Sequence, residues 1–179
     1  MKNATLAQCL KWLFIAEILV IVGAFIPLLG AIVIIVGFVM NLVALYSASK
    51  HDSGYNTAFI LSIAGIVVGV ITLFVDSESI IATLLSIVSS VLSLGILYYV
   101  CITTVKQLEA VGNTYVAAKG TTVWNLNLIC TVVSVILTVL CLIPLLNIIA
   151  AALLVVVAIV ELVAGILYLI FLYKSYNAL

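Results

Sequence analysis

The sequence predicts an all-α integral membrane protein. Six transmembrane helices form three hairpins of one orientation in a left-handed bundle, with no soluble domain. Three observations carry this expectation. Of 179 residues, 68% are hydrophobic and 7% are charged, more apolar surface than a water-soluble domain of this length can hide. Pro27 and Pro144 each interrupt an apolar run too long for one span. If the chain crosses six times, all six lysines fall on one side.

The spans follow in order. A crossing needs about 20 apolar residues. Trp12 to Ser49 exceeds that, and Pro27 near its middle removes a backbone donor and disfavours helix at the residue before it. The first span is therefore placed at 9–26, a tight turn at Pro27-Leu28-Leu29, and the second span at 30–49. A single span over this run would put Lys11 and Lys50 on opposite faces. After a polar loop, Lys50 to Asn56, the third span covers 57–75. Asp76-Ser77-Glu78 is a short turn with Asp76 or Ser77 as the expected N-cap. The fourth span covers 79–105, and its helix projects to about Val111, with Gly112 as C-cap. Residues 113–121 are the only expected loop of any size. The fifth span is 122–142, a second proline turn follows at Pro144, and the sixth span is 147–173. The whole of 1–179 is taken as one bundle.

Orientation follows from charge. Lys2, Lys11, Lys50, Lys106, Lys119 and Lys174 share one side, and Asp76 and Glu78 lie on the other. An excess of lysine marks the cytoplasmic face, so both termini are expected inside a cell membrane. Trp12, Trp124 and all eight tyrosines lie toward the lysine-bearing ends, as an interfacial belt requires. A cleaved signal peptide is not expected, because a second span follows the first directly. The Asn3-Ala4-Thr5 sequon falls on the side assigned to the cytoplasm. Gly95-Ile96-Leu97-Tyr98 recurs as Gly165-Ile166-Leu167-Tyr168, and Leu42-Val43-Ala44 recurs as Leu162-Val163-Ala164. An ancestral hairpin repeat and chance matching of apolar residues both account for these echoes.

Lipid tails are as apolar as leucine, so small residues and interhelical hydrogen bonds must hold such helices together. Stepping by three and four residues, the second helix carries Gly30, Gly37, Asn41, Ala44 and Ala48. The third carries Ala58, Ser62, Gly65, Gly69 and Thr72, with Gly65 and Gly69 spaced for a close right-handed contact. The fourth carries Thr83, Ser86, Ser90 and Ser93, and the fifth Asn127, Thr131, Ser134 and Thr138. The sixth carries Ala151, Leu154, Ala158, Glu161, Gly165 and Tyr168. A period of 3.5 keeps each seam facing a partner in left-handed packing.

Glu17, Asn41 and Glu161 are the polar residues within spans that need a reason. At 1.5 Å per residue from the nearest lysine they lie roughly 9, 13 and 20 Å deep. A bare carboxylate there is costly, so each must be protonated, hydrogen-bonded, or open to water or an ion. These three form the candidate intramembrane polar or ion site. Glu161 would be its titrating group, with Asn41 or the hydroxyls of the fifth helix as ligands, and the seam of Asn41 would meet that of Glu161. The competing role is structural, a protonated glutamic acid bonded across a helix interface.

No catalytic residue, metal ligand set or cofactor is expected. Cys9, Cys101, Cys130 and Cys141 have no metal-type spacing, His51 is the sole histidine, and no phosphate-binding or hydrolase motif occurs. Nucleic acid is excluded as a partner by the zero net charge. The expected partners are the bilayer and a second copy or another membrane protein. The expected function is a non-enzymatic helix bundle that assembles with itself or a membrane partner. The alternative is a small secondary carrier or solute-binding subunit, proton- or cation-linked through Glu161.

Overall fold

The structure is a computed structural model and describes residues 4–27, 29–76, 79–143 and 145–179. Lys2, the Asn3 sequon, Leu28, Ser77, Glu78 and Pro144 lie outside the described residues. Among the described residues there are six helices and no strand: α1 Ala4–Ala24, α2 Gly30–Ala48, α3 Ser53–Thr72, α4 Ile80–Ala110, α5 Thr114–Leu140 and α6 Asn147–Ala178. All six are long and apolar enough to cross a membrane. That number of candidate spans indicates a multi-pass membrane protein.

Helix ends follow local chemistry. Asp52 caps α3 by accepting from the Gly54 amide at 2.9 Å. Ser79 caps α4 through the Ala82 amide at 3.1 Å, in place of the expected Asp76. Gly112 closes α4 with φ at 80°, a conformation glycine adopts without strain. There the Gly112 amide donates to the Glu109 carbonyl and the Asn113 amide to the Leu108 carbonyl, the paired bonds of a Schellman end. Asn113 then caps α5 through the Val116 amide at 3.2 Å.

The expectation of a loop over 113–121 is corrected, because α5 starts at Thr114. Val116, Ala117, Gly120 and Val123 fall on one face and are buried, which holds this polar stretch in helix. Three other helices also run further at the lysine-bearing end than a membrane-length count allows. α1 begins at Ala4, α3 at Ser53, and α6 continues to Ala178. At the opposite end α1 and α3 stop two or three residues short of the expected limits.

The helices close into a ring. Each packs on the next in sequence, α6 returns to α1, and α4 also touches α6. The α1–α2 interface is the most extensive and α2–α3 the thinnest between consecutive helices. Glycine sets the closest approach. A Cβ added at Gly37 would lie 2.8 Å from Val20 Cγ2 and 3.0 Å from the Ala16 carbonyl, and one at Gly30 would collide with the Gly23 carbonyl. Gly54 lies equally tight on Thr103 of α4, one residue before the buried Tyr55 hydroxyl meets Thr104 Oγ1 at 2.8 Å.

The core is concentrated at one end. Leu6, Leu10, Leu13, Leu45, Tyr55, Val100, Leu108, Phe171 and Leu172 are each no more than 2% exposed, and all lie in the lysine-bearing half of their helices. Aromatic contacts join helices around this base: Phe14 with Tyr173 and Tyr176, Tyr46 with Phe59, and Tyr98 with Trp124. By contrast, no described residue between 59 and 99, or between 151 and 163, is buried. The far halves of α3, α4 and α6 therefore add no buried residue to the packed base.

The expected seams hold unevenly. That of α2 is buried at Gly30, Gly37, Ala44 and Ala48. That of α6 holds at Tyr168 but not at Ala151 and Ala158, which are exposed; the stripe covered by protein runs through Ala150, Ala164, Tyr168 and Phe171. On α3, a Cβ at Gly65 or Gly69 would meet nothing within 4 Å, so this GxxxG makes no close contact within the chain. The two Gly-Ile-Leu-Tyr copies also differ in surroundings: a Cβ on Gly95 would lie 3.1 Å from Leu61, while Gly165 faces open space.

Candidate functional site

The three candidate residues divide into two places. Glu17 and Asn41 face each other across α1 and α2, and Asn41 Nδ2 donates to Glu17 Oε1 at 2.9 Å. α1 and α2 lie close here because Gly37, one turn along α2 from Asn41, admits Ala16 and Val20. The bond gives each partner part of what the bilayer would deny it. Glu161 is elsewhere. Ser134 Oγ of α5 donates to Glu161 Oε1 at 2.6 Å. α2 makes no contact with α5 or α6, so the expected meeting of the Asn41 and Glu161 seams does not occur. In the ring α2 packs only on α1 and α3.

Glu161 lies on the heptad stripe that buries Ala164 and Tyr168 one and two turns later, yet it is exposed itself. At its level α4, α5 and α6 no longer close, and a cleft of about 370 Å³ opens between them. Ser89, Ser90 and Ser93 come from α4, Asn127, Thr131 and Ser134 from α5, and Leu94 and Leu97 form an apolar wall. Several of these polar groups are already bonded to their own helix. Ser90 Oγ donates to the Ser86 carbonyl at 3.0 Å and Asn127 Nδ2 to the Val123 carbonyl at 2.9 Å. Their lone pairs and remaining donors are left for the cleft.

The chemistry available there is narrow. One carboxyl group, five hydroxyls and one amide can exchange a proton or hydrogen-bond a small polar solute. A single carboxylate is too few hard anionic ligands for a dedicated divalent site. Among the described residues no group of His, Cys, Asp and Glu side chains is placed to hold a metal ion. The four cysteines are free thiols, and Cys9, Cys101 and Cys130 are buried.

Two features have no counterpart in the sequence expectation. Ser89 joins the cleft although it lies off the 3.5-residue seam, because α4 lines it with two adjacent serines, Ser89 and Ser90. At the lysine-bearing end, Asp52 Oδ2 accepts from Lys106 Nζ at 3.1 Å and from Gln107 Nε2 at 3.3 Å. With the Gly54 amide on Oδ1, these donors hold the Asp52 carboxyl below the usual carboxylate range, the backbone amide contributing most. Asp52 follows a histidine and precedes Ser-Gly, a helix-start signal, but its partners are more than 50 residues away in sequence.

No protein-family model, curated protein or solved structure matches the chain.

Proposed function

We propose that this chain is a non-enzymatic multi-pass membrane protein that works by assembling with a second copy or a membrane partner. On this reading the helices lie as three hairpins of one orientation, packed left-handed, in a cell membrane with both termini cytoplasmic. The observation that carries it is the unmet packing face of α3. Gly65 and Gly69 have nothing within 4 Å, and no described residue nearby is buried. Small residues at this spacing cost helix propensity and return it only when another backbone comes close. Sizing by light scattering in mild detergent tests this. More than one chain per particle is expected, reduced by Gly65→Leu together with Gly69→Leu. A particle of one chain that the double substitution leaves unchanged contradicts it.

A second reading has its own support, the cleft around Glu161. Here the chain is a small secondary carrier or solute-binding subunit, proton- or cation-linked through Glu161. An exposed carboxyl among hydroxyls at mid-span is costly against lipid and stable against water or a polar solute. In a variant whose four native cysteines are replaced by alanine, Glu161→Cys is expected to react with a membrane-impermeant thiol reagent added from the Asp76 side. A thiol protected from the reagent on both sides excludes the carrier.

A further inference from the structure

We propose that the groove between α1 and α2 at the lysine-bearing end holds an anionic phospholipid, with its phosphate at Lys50 and His51 and an acyl chain running toward Val39. The groove encloses about 550 Å³, within the range of small-ligand sites. Its polarity is graded along its length. Gln8, Ser47, Lys50 and His51 lie at the outer end, and Trp12, Val39, Met40 and Val43 line the deeper part. Val39 and Val43 are 54% and 60% exposed, so the apolar floor is uncovered by the chain itself. Trp12 is 48% exposed beside it, at the depth where an indole sits between headgroups and tails.

Charge selects the ligand. No acidic side chain lines the groove. The nearest carboxylate in sequence, Asp52, is turned to Lys106, Gln107 and the Gly54 amide. Lys50 rests 5.1 Å from the centre of the Tyr46 ring and has no ion-pair partner among the described residues. A cation held over an aromatic face beside an apolar trough matches a phosphate diester joined to a hydrocarbon tail. A soluble phosphate would use Lys50 and leave the trough bare. A second protein chain would be expected to bring an acid to Lys50, and this chain offers no exposed acidic stripe to do so. The inference takes from the proposed function only that the lysine-bearing end lies at a membrane surface.

Native mass spectrometry of the full chain in mild detergent tests it, with phosphatidylglycerol and phosphatidylcholine of identical acyl chains added in equal amounts. One phosphatidylglycerol should bind in preference. Lys50→Gln should cut that preference about fivefold, the effect of one basic residue at a lipid surface. Val43→Trp, which fills the trough and leaves the charge, should displace the bound lipid, and Lys174→Gln at the same end should change neither result. Equal binding of the two lipids overturns the proposal. So does a preference that Lys50→Gln and Val43→Trp leave intact, or one that Lys174→Gln lowers as far as Lys50→Gln does. Competition by glycerol phosphate as effective as that by the lipid would assign the site to free phosphate and also overturn it. Release of the chain from its own membrane by alkaline carbonate would remove the membrane reading separately, without touching the lipid measurement.

Discussion

Asp52 joins α3 to α4 through one carboxylate: it caps α3 and, on α4, bonds the side chain of Gln107 and pairs with Lys106. The parts contribute unequally. The cap to the Gly54 amide is worth about 1 kcal/mol, and the pair with Lys106, whose side chain is 73% exposed, at most about 1 kcal/mol. Asp52→Ala should therefore lower stability by about 1–2 kcal/mol, while Asp52→Asn, which still caps, should cost under about 1 kcal/mol. The pH dependence has a definite sign. Because the folded carboxyl ionises at lower pH than in the unfolded chain, its contribution is complete above about pH 4, the unfolded value, and is lost as pH falls through the folded one. Thermal unfolding in detergent from pH 6 down to pH 2.5 should show acid destabilisation that is smaller in Asp52→Asn. The roles of single residues were only partly legible in the sequence. Glu17, Asn41 and Glu161 stand out because charge and amide are rare in spans, but the choice of partner depends on helix order around the ring. Glu17 meets Asn41 because α1 and α2 adjoin, and Ser134 meets Glu161 because α5 and α6 do.

Between elements, glycine decides how near two backbones come. Gly37 admits Val20 and Ala16, and Gly120 admits Val105 and Phe171, whose atoms would lie 2.5–2.7 Å from an added Cβ. Gly37→Leu and Gly120→Leu should each destabilise by about 1–3 kcal/mol through overpacking, read as a fall in unfolding midpoint in detergent. Leucine at Gly69 should leave the midpoint of the dissociated single chain nearly unchanged, since open space surrounds it within the chain. The seam of α2 was visible in the sequence because Gly30, Gly37, Ala44 and Ala48 recur at one period and all lie against α1 or the core. The expected seam of α6 meets the buried stripe at Tyr168 but departs from it at the exposed Ala151 and Ala158. Alanine is abundant there, and small size alone does not separate a packed face from a lipid-facing one. The start of α5 was missed for the opposite reason. Gly112, Asn113 and Lys119 look like a loop, yet Gly112 ends one helix, Asn113 caps the next, and Val116, Ala117 and Gly120 face the core.

On the scale of the whole molecule, the packed and open halves have different work to do. The base joins all six helices through buried leucines, Tyr55 and Phe171, with aromatic contacts between helices around it. The other half exposes Ile, Val and Leu, which lipid accepts, together with two features that lipid serves poorly: the Glu161 cleft and the bare glycine face of α3. Composition and proline position made six apolar helices legible in the sequence. The one-ended core was not, because periodicity runs unbroken along α4 and α6 and carries no mark of where burial stops. Disulfide cross-linking in the native membrane tests assembly through α3 most directly. In a chain whose four native cysteines are replaced by alanine, Gly65→Cys should give an oxidant-dependent dimer or a cross-link to one discrete membrane partner, and Ile60→Cys on another face of α3 should not. Absence of any cross-link at position 65, with the thiol shown to be present and reactive, would contradict assembly through this face.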